Sequence, residues 1–207
     1  MLKRFFAMGM SVILSSCSIF GISDTPEAKY IETTNKDPYS VRIYQPYVEA
    51  QVTVENSDYK KATNKGFREL FKYITGSNNT DKQVSMTAPV KVSQESTKIV
   101  MTAPVLMQNN DNLWVISFVL PSDMNIDNAP KPSSDNIKLV QKPQSRVAVI
   151  TFSGTMTKNN IEKNTSMLEE WMKNNNLTKI GQPTAAGYNP PWTLPFFRRN
   201  EIQITVS

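Results

Sequence analysis

Residues 86–105 read MTAPVKVSQESTKIVMTAPV, so the pentapeptide MTAPV begins at Met86 and again at Met101. The segment between the two copies is apolar at both ends and polar in the middle, which is typical of two strands joined by a turn. A turn at its centre would place Met101 opposite Val90. Because proline has no N–H to donate to a neighbouring strand, the pattern predicts a methionine-lined hairpin of edge or bulged strands, suited to the wall of a pocket.

The residues around this hairpin predict a strand, a helix and the strands that follow them. The elements of the first half are a strand over 39–54, a helix that begins at Ser57 or Asp58 and ends at Gly76, the two MTAPV strands, and a strand over 113–120. The apolar face of the helix consists of Phe67, Leu70, Phe71 and Ile74. We expect all four residues to pack on a sheet.

The second half of the chain repeats this order. Its elements are a strand over 147–152, a helix capped by Thr157 with Ile161, Leu168, Trp171 and Met172 on its apolar face, a weaker strand within 178–188, and a strand over 201–206. Residues 123–136 are predicted to form an exposed loop between the halves. The sequence therefore predicts an α+β fold: a pseudo-symmetric duplicated β-α-β-β, forming a distorted antiparallel barrel with two packed helices around an apolar hollow.

Composition excludes several classes of function. The chain has 207 residues, 39% of them apolar, which is enough for one core and does not require two domains. The formal charge of +5 forms no basic run, so nucleic-acid binding is not expected. The absence of histidine and the single cysteine exclude His-based metal sites, Ser-His-Asp triads and intramolecular disulfides. An enzyme is not expected, because the adjacent Glu169 and Glu170 point apart and no paired acid and base stands out.

The N-terminus has the order of a secretion signal. A lysine and an arginine precede an apolar stretch over 5–14, too short to cross a bilayer as a helix, and Leu-Ser-Ser-Cys ends at Cys17. This ending resembles a bacterial lipobox, whose cysteine is acylated, although an ordinary signal peptide is the alternative. We expect a signal peptide over 1–16, a lipidated tether over 17–29 and a domain over 30–207. Because Ser18 follows the cysteine, an outer-membrane location facing the periplasm is expected.

Six stretches of the chain share the pattern of a known family. They are Asp58-Tyr59, residues 66–76 (GFRELFKYITG), the MTAPV strand, residues 116–121 (ISFVLP), residues 188–192 (YNPPW) and residues 198–201 (RRNE). Together they resemble the SOUL haem-binding protein family over about residues 39–206. The resemblance implies a pair of β-α-β-β repeats in a distorted barrel, and non-covalent binding of haem or another tetrapyrrole. Since the chain has no histidine, a Met or Tyr would serve as axial ligand, or apolar contacts alone would hold the haem.

The resemblance also implies a pocket beside the first helix and under the loop over 188–199. The candidate ligand-binding residues are Lys65, Arg68, Lys72, Met86, Met101, Tyr188, Trp192, Phe196, Phe197 and Arg198. The aromatic residues would stack on a flat ligand, the cations would meet its carboxylates, and the methionines would contact the ligand or its iron. Alternatively, the loop aromatics close the barrel end, Arg199 pairs with Glu201, the helix cations face solvent and the methionines fill the core.

The sequence thus favours a lipid-anchored envelope protein that binds haem, a related tetrapyrrole or another planar hydrophobic molecule without a histidine ligand. The alternative is an envelope lipoprotein that binds a different apolar molecule or a protein partner and has no role with haem. Neither hypothesis includes catalytic residues, a protein-bound metal ion or nucleic acid. Neither specifies an oligomeric state.

Overall fold

The computed structural model describes residues 26–56, 58–80, 83–94, 113–190 and 192–207. Its strands are β1 (Tyr30–Lys36), β2 (Tyr39–Tyr44), β3 (Tyr47–Glu55), β4 (Val90–Gln94), β5 (Leu113–Val119), β6 (Ile137–Lys142), β7 (Ser145–Phe152), β8 (Thr184–Gly187) and β9 (Asn200–Val206). Its helices are α1 (Tyr59–Ile74), α2 (Lys158–Asn174) and a short 3-10 helix over Pro195–Phe197. The predicted signal peptide, Cys17 and the second MTAPV copy with Met101 lie outside the described residues.

These strands form one antiparallel sheet in the order β1-β2-β7-β9-β8-β4-β5-β3-β6. The predicted α+β fold with a duplicated unit is confirmed. The first unit is β2-β3-α1-β4-β5 and the second is β6-β7-α2-β8-β9, so each unit has one strand more than expected. The first strand of each unit pairs with the second strand of the other, β2 with β7 and β6 with β3. The expected single strand over 39–54 is divided into β2 and β3 at Gln45 and Pro46.

The sheet curls into a partial barrel. β2 and β3 occupy its second and eighth positions, yet only Gln45 and Pro46 connect them. Such a connection reaches roughly 10 Å at most, whereas six strand spacings of a flat sheet would take about 29 Å. The sheet must therefore bend until these two strands meet. Both helices lie on its outer face, α1 against β3 and β5, and α2 against β7 and β9.

Each helix buries one apolar face against the outer surface of the sheet. Helix α1 buries Leu70 and Ile74, and α2 buries Leu168 and Met172. The prediction that Phe71 packs on the sheet is wrong, because this side chain is 45% exposed. Leu70 and Ile74 lie within the buried face of α1, and Phe71, about 100° around the helix from Leu70, lies at the edge of that face. Among the described residues, neither helix has the length and apolarity that a membrane crossing needs.

Both helices begin at the predicted caps. The Asp58 carboxylate accepts a hydrogen bond from the Lys61 N–H at 3.0 Å, and the Thr157 hydroxyl accepts one from the Asn160 N–H at 3.3 Å. Such bonds satisfy N–H groups that lack partners within the helix. Gly76 follows α1 with a φ of 123°, a left-handed conformation that glycine adopts readily. The helix ends are therefore specified by local sequence.

The predicted pairing of Val90 with Met101, in a hairpin of the two MTAPV copies, is wrong. Val90 at the start of β4 lies opposite Phe118 of β5 on one side and Gly187 of β8 on the other. Neither edge of Val90 is open for the expected pairing with Met101, and β4 lies inside the sheet. Pro89 precedes β4, so it removes no hydrogen bond from the sheet.

The loop between the halves is more buried than predicted. Ala129 and Pro130, within the expected exposed loop over 123–136, are buried. The hydroxyl of Tyr73 in α1 donates a hydrogen bond of 2.8 Å to the Pro130 carbonyl oxygen. The loop therefore covers one end of the α1 core.

The predicted tether over 17–29 is described only from Pro26 onward. The Ala88 N–H donates a hydrogen bond of 2.9 Å to the Pro26 carbonyl oxygen, and Glu27 forms an isolated parallel bridge with Ala88. Ala28 is buried. These residues lie against the domain, next to the segment that leads into β4.

Gly66 allows α1 to approach β5 closely. A Cβ at this position would lie 2.8 Å from the side chain of Ile116, which is fully buried. We expect Gly66→Ala to lower the free energy of unfolding by about 1–3 kcal/mol through overpacking, although alanine favours the helix by about 1 kcal/mol. Urea unfolding measures the change, with Asn64→Ala on the exposed side of α1 as the control. A Gly66→Ala protein as stable as that control would contradict the close approach.

Candidate ligand-binding cleft

An apolar cleft of about 350 Å³ opens on the outer face of the barrel. Phe67 and Phe71 of α1 form one wall, and the segment Met86–Ala88 that leads into β4 forms another. The chain that follows β8, residues 188–190 with Trp192, forms the third. Because β4 and β8 are neighbours in the sheet, the cleft lies where the two halves of the chain meet.

The cleft has an exposed rim and a buried floor. At the rim, Phe71, Met86 and Trp192 are 45%, 40% and 65% exposed. At the floor, Thr87 and Tyr188 are only 4% and 6% exposed. Within the described residues, no charged side chain lines the cleft. A cluster of exposed large apolar side chains around a concave apolar surface is typical of a binding site.

Tyr188 contributes its ring to the cleft while its hydroxyl is bonded elsewhere. The hydroxyl donates a hydrogen bond of 2.6 Å to Oε2 of Glu201, and the guanidinium carbon of Arg199 lies 3.9 Å from the ring centroid. Burial, followed by the neighbouring Glu201 carboxylate, raises the pKa of Tyr188 well above its ordinary value. Tyr188 therefore offers a ligand an aromatic face, and its phenol is not available as an iron ligand.

Glu201 connects Tyr188 to a charged network inside the barrel, the Glu201 cluster (Arg42, Tyr188, Arg199, Glu201 and Gln203). The Glu201 carboxylate is fully buried and accepts hydrogen bonds from Arg42 at 2.9 and 3.0 Å, from Arg199 at 2.8 Å and from Gln203 at 2.8 Å. Burial acts to raise the pKa of Glu201, but the two guanidinium groups and the bonds from Tyr188 and Gln203 hold it below its ordinary value. The carboxylate is thus charged and fully partnered.

A second ion pair confirms that the inner face of the barrel is polar. Lys91 of β4 lies 3.2 Å from the Glu49 carboxylate of β3 and donates a hydrogen bond of 2.7 Å to the Tyr47 hydroxyl. The inner hollow of about 110 Å³ is bordered by these groups. The predicted apolar hollow between the units is therefore wrong. Side chains alternate along each strand, and here the apolar ones face the helices while the polar ones face inward.

The predicted helix cations do not line the cleft. Lys65, Arg68 and Lys72 are exposed and border a separate shallow hollow. That hollow shares Phe67 and Phe71 with the cleft, so the cations lie on the far side of these two rings. They give positive charge to the surface beside the rim, and they do not touch its interior.

Of the loop residues predicted to bind a ligand, Tyr188 and Trp192 line the cleft and three others do not. Phe196 and Phe197 belong to the 3-10 helix, where their ring centroids lie 4.6 Å apart. Arg198 donates a hydrogen bond of 2.8 Å to the Thr193 carbonyl oxygen. The alternative prediction that Arg199 pairs with Glu201 is confirmed at 2.8 Å.

Sequence reasoning did not assign Thr87, Phe67 or Phe71 to the cleft, although all three line it. The signal for the phenylalanines was their spacing of one helical turn at the edge of the α1 apolar face. Thr87 has no such signal, because it is a polar residue inside an apolar repeat. Among the residues that the structure describes, no group of three or more His, Cys, Asp or Glu side chains could hold a metal ion.

The fold and the cleft define a class of protein: an α+β barrel with an external apolar cleft of the kind that typically accepts small molecules. The chain belongs to the SOUL heme-binding protein family, whose sequence pattern matches residues 24–205. It is 27% identical over 182 residues to Heme-binding protein 2 of Homo sapiens, covering 86% of this chain and 84% of that protein. It is 23% identical over 190 residues to Heme-binding protein 1 of Xenopus laevis, covering 89% and 93%.

A solved structure shows the same fold at low sequence identity. The C-terminal domain of EcmrR superposes with a TM-score of 0.58 at 12% identity, covering 82% of this chain and 96% of that domain. The likeness extends to the fold alone.

Glu201→Gln tests the charged network. The variant leaves Arg42 and Arg199 without their shared carboxylate, so we expect the free energy of unfolding at pH 7 to fall by about 3–5 kcal/mol. The pKa of Glu201 is lower in the folded protein than in the unfolded chain. The stabilisation that the Glu201 charge contributes is therefore complete above pH 4.5, the usual pKa of a glutamate. It is lost as the pH falls through the lower pKa of the folded protein.

The measurement is chemical unfolding of both proteins between pH 3 and pH 7. The difference in free energy of unfolding between wild type and Glu201→Gln should narrow below about pH 4.5. The control is Glu162→Gln on α2, whose ion pair with Lys158 is exposed, and which should change stability by less than about 1 kcal/mol. A gap that stays constant across this range would show that the carboxylate charge is not what stabilises the network.

Proposed function

We propose that this protein binds haem or a related flat tetrapyrrole, reversibly and without a covalent bond, in the apolar cleft beside α1. The observation that carries the proposal is the aromatic enclosure of that cleft by Phe71, Tyr188 and Trp192 in a member of the SOUL heme-binding protein family. Aromatic faces pack well against a flat conjugated ring. Binding is proposed rather than catalysis, because no charged side chain lines the described part of the cleft.

The size and charge of the site fit such a ligand. A volume of about 350 Å³ lies within the range of roughly 300–1,000 Å³ typical of small-molecule pockets. The exposed rim would leave one edge of a macrocycle in solvent. Lys65, Arg68 and Lys72 lie beyond Phe67 and Phe71, and their positive charge favours an approaching carboxylated porphyrin.

Iron plays a small part in the proposed binding. The chain contains no histidine, and the Tyr188 hydroxyl is bonded to Glu201. Among the described residues that line the cleft, Met86 has a side chain that could serve as an axial ligand of iron. A thioether is a weak ligand compared with imidazole, so contacts with the macrocycle supply most of the proposed affinity.

Titration of the protein with haemin tests the proposal. We expect a shifted Soret band that saturates at one haemin per chain. Phe71→Ala removes one aromatic wall and should weaken binding about tenfold, equivalent to ~1.4 kcal/mol. The comparison variant is Phe196→Ala, because Phe196 is an exposed phenylalanine that does not line the cleft.

Phe196→Ala should bind haemin within about twofold of wild type. Equal loss of affinity in the two variants would contradict binding confined to the cleft. A linear response without saturation would indicate adsorption. That result would favour a protein whose cleft receives a different apolar molecule or a protein partner.

We also propose that the protein is a lipoprotein of the cell envelope, anchored through an acylated Cys17 at the outer membrane and facing the periplasm. The support is the lipobox-like sequence that ends at Cys17, with Ser18 after it. Each buried CH₂ of an acyl chain adds about 0.8 kcal/mol, so several chains anchor a protein firmly. A haem-binding domain held at a membrane would keep its ligand near that surface.

Metabolic labelling with radioactive palmitate tests the anchor. The wild-type protein should be labelled and should fractionate with the outer membrane. Cys17→Ala should lose the label, because the thiol is the attachment point. Cys17→Ser is a second variant that keeps the size of the side chain and should also lose the label. Labelling that persists in either variant would contradict the anchor.

A further inference from the structure

The floor of the cleft contains a buried hydroxyl without a partner. Thr87 is 4% exposed, and within the described residues its Oγ1 forms no hydrogen bond and is shielded from solvent. Buried hydroxyl groups in folded proteins are almost always hydrogen-bonded. Thr87 lines the cleft between Met86 and Ala88. This unsatisfied group therefore lies where the proposed ligand would lie.

Two other polar side chains that line the cleft, Tyr188 and Asn189, are already engaged within the protein. The Tyr188 hydroxyl donates to Glu201. Oδ1 of Asn189 accepts a hydrogen bond of 2.6 Å from the Arg199 N–H. Both groups serve to hold the chain after β8 in place. Among the described residues that line the cleft, Thr87 is the one with a buried side-chain polar atom that has no hydrogen-bond partner.

The backbone around Thr87 is held on both sides, so the hydroxyl stays near the cleft. The Ala88 N–H donates to the Pro26 carbonyl oxygen at 2.9 Å, and the Val84 N–H donates to the Ile74 carbonyl oxygen at 2.7 Å. A threonine side chain moves between staggered positions by rotation about one bond. Such a rotation can turn the hydroxyl toward a ligand without moving the backbone.

We infer that Thr87 is the polar anchor of the cleft and donates a hydrogen bond to an oxygen of the ligand. The inference rests on the proposed function and specifies the ligand class further. The ligand is a flat hydrophobic molecule that carries an oxygen acceptor, such as a carboxylate, which reaches the floor of the cleft. An ionised carboxylate only accepts hydrogen bonds, so the Thr87 hydroxyl would donate to either of its two oxygens.

Thr87 would then determine specificity as well as affinity. A macrocycle with only alkyl substituents covers the floor and leaves the hydroxyl without a partner. A carboxylated macrocycle accepts a hydrogen bond from the hydroxyl. A site that is built to bond a polar group discriminates strongly against analogues that lack this group. The positive charges of Lys65, Arg68 and Lys72 beside the rim favour the same anionic class of ligand.

The experiment compares two iron porphyrins and two variants of Thr87 in absorbance titrations. Haemin carries two carboxylates, and iron(III) octaethylporphyrin carries none. Thr87→Val keeps the shape of the side chain and removes the hydroxyl, whereas Thr87→Ser keeps the hydroxyl. We expect Thr87→Val to weaken haemin binding about tenfold and Thr87→Ser to weaken it by less than about threefold. The affinity for octaethylporphyrin should be the same in wild type and Thr87→Val.

Thermal unfolding of the ligand-free proteins provides an independent readout. Thr87→Val should melt at the same temperature as wild type or higher, because the substitution removes a buried unsatisfied group. Haemin affinity unchanged in Thr87→Val would overturn the inference, and so would an equal loss for both porphyrins, which would indicate a packing role. If wild type binds neither porphyrin, the proposed function itself fails, and this outcome is distinct from the other two.

Discussion

The structure depends on one buried carboxylate. Glu201 is fully buried on β9 and is bonded to Arg42 of β2, to Arg199 and to the hydroxyl of Tyr188. A buried charge is tolerated only when such partners replace its hydration. The same interactions fix the position of the Tyr188 ring, which forms part of the cleft floor. The floor of the outer cleft is thus positioned from inside the barrel.

The two faces of the sheet divide these tasks. The inner face carries charged and hydroxyl groups that bond to one another across strands, such as Lys91 with Glu49 and Tyr47. The outer face carries apolar residues that pack against α1 and α2. The helices leave uncovered the junction of β4 and β8, where the cleft lies. A ligand in the cleft would meet apolar walls, whereas one in the inner hollow would meet charged and hydroxyl groups.

Local sequence predicts the elements better than it predicts their pairing. Asp58 and Thr157 cap the helices as expected, because a cap depends on residues three positions away. Strand β6 was missed, since its polar residues interrupt the apolar alternation. The pairing of β4 with β5 and β8 was also missed. The repeated MTAPV favoured a local hairpin, whereas long-range neighbours that no local pattern encodes occupy both sides of β4.

Family motifs mark part of the cleft. Met86, Tyr188 and Trp192, which were predicted to contact a ligand, line the cleft, and their contact with a ligand stays a prediction. Phe196, Phe197 and Arg198 follow them closely in sequence, but the 3-10 helix turns the chain away from the cleft. In the Glu201 cluster, Arg42 and Glu201 lie 159 positions apart in the sequence. Charges so distant in sequence give no signal that they meet.

We propose that the ligand occupies the outer cleft and not the barrel interior. Paramagnetic broadening of backbone amide signals by iron(III) haem measures this directly. Signals from residues 67–71, 86–88 and 187–188 should disappear first on addition of haemin, because these residues surround the cleft. Signals that disappear first around Tyr47, Glu49 and Gln51, at the inner hollow, would contradict this placement of the ligand.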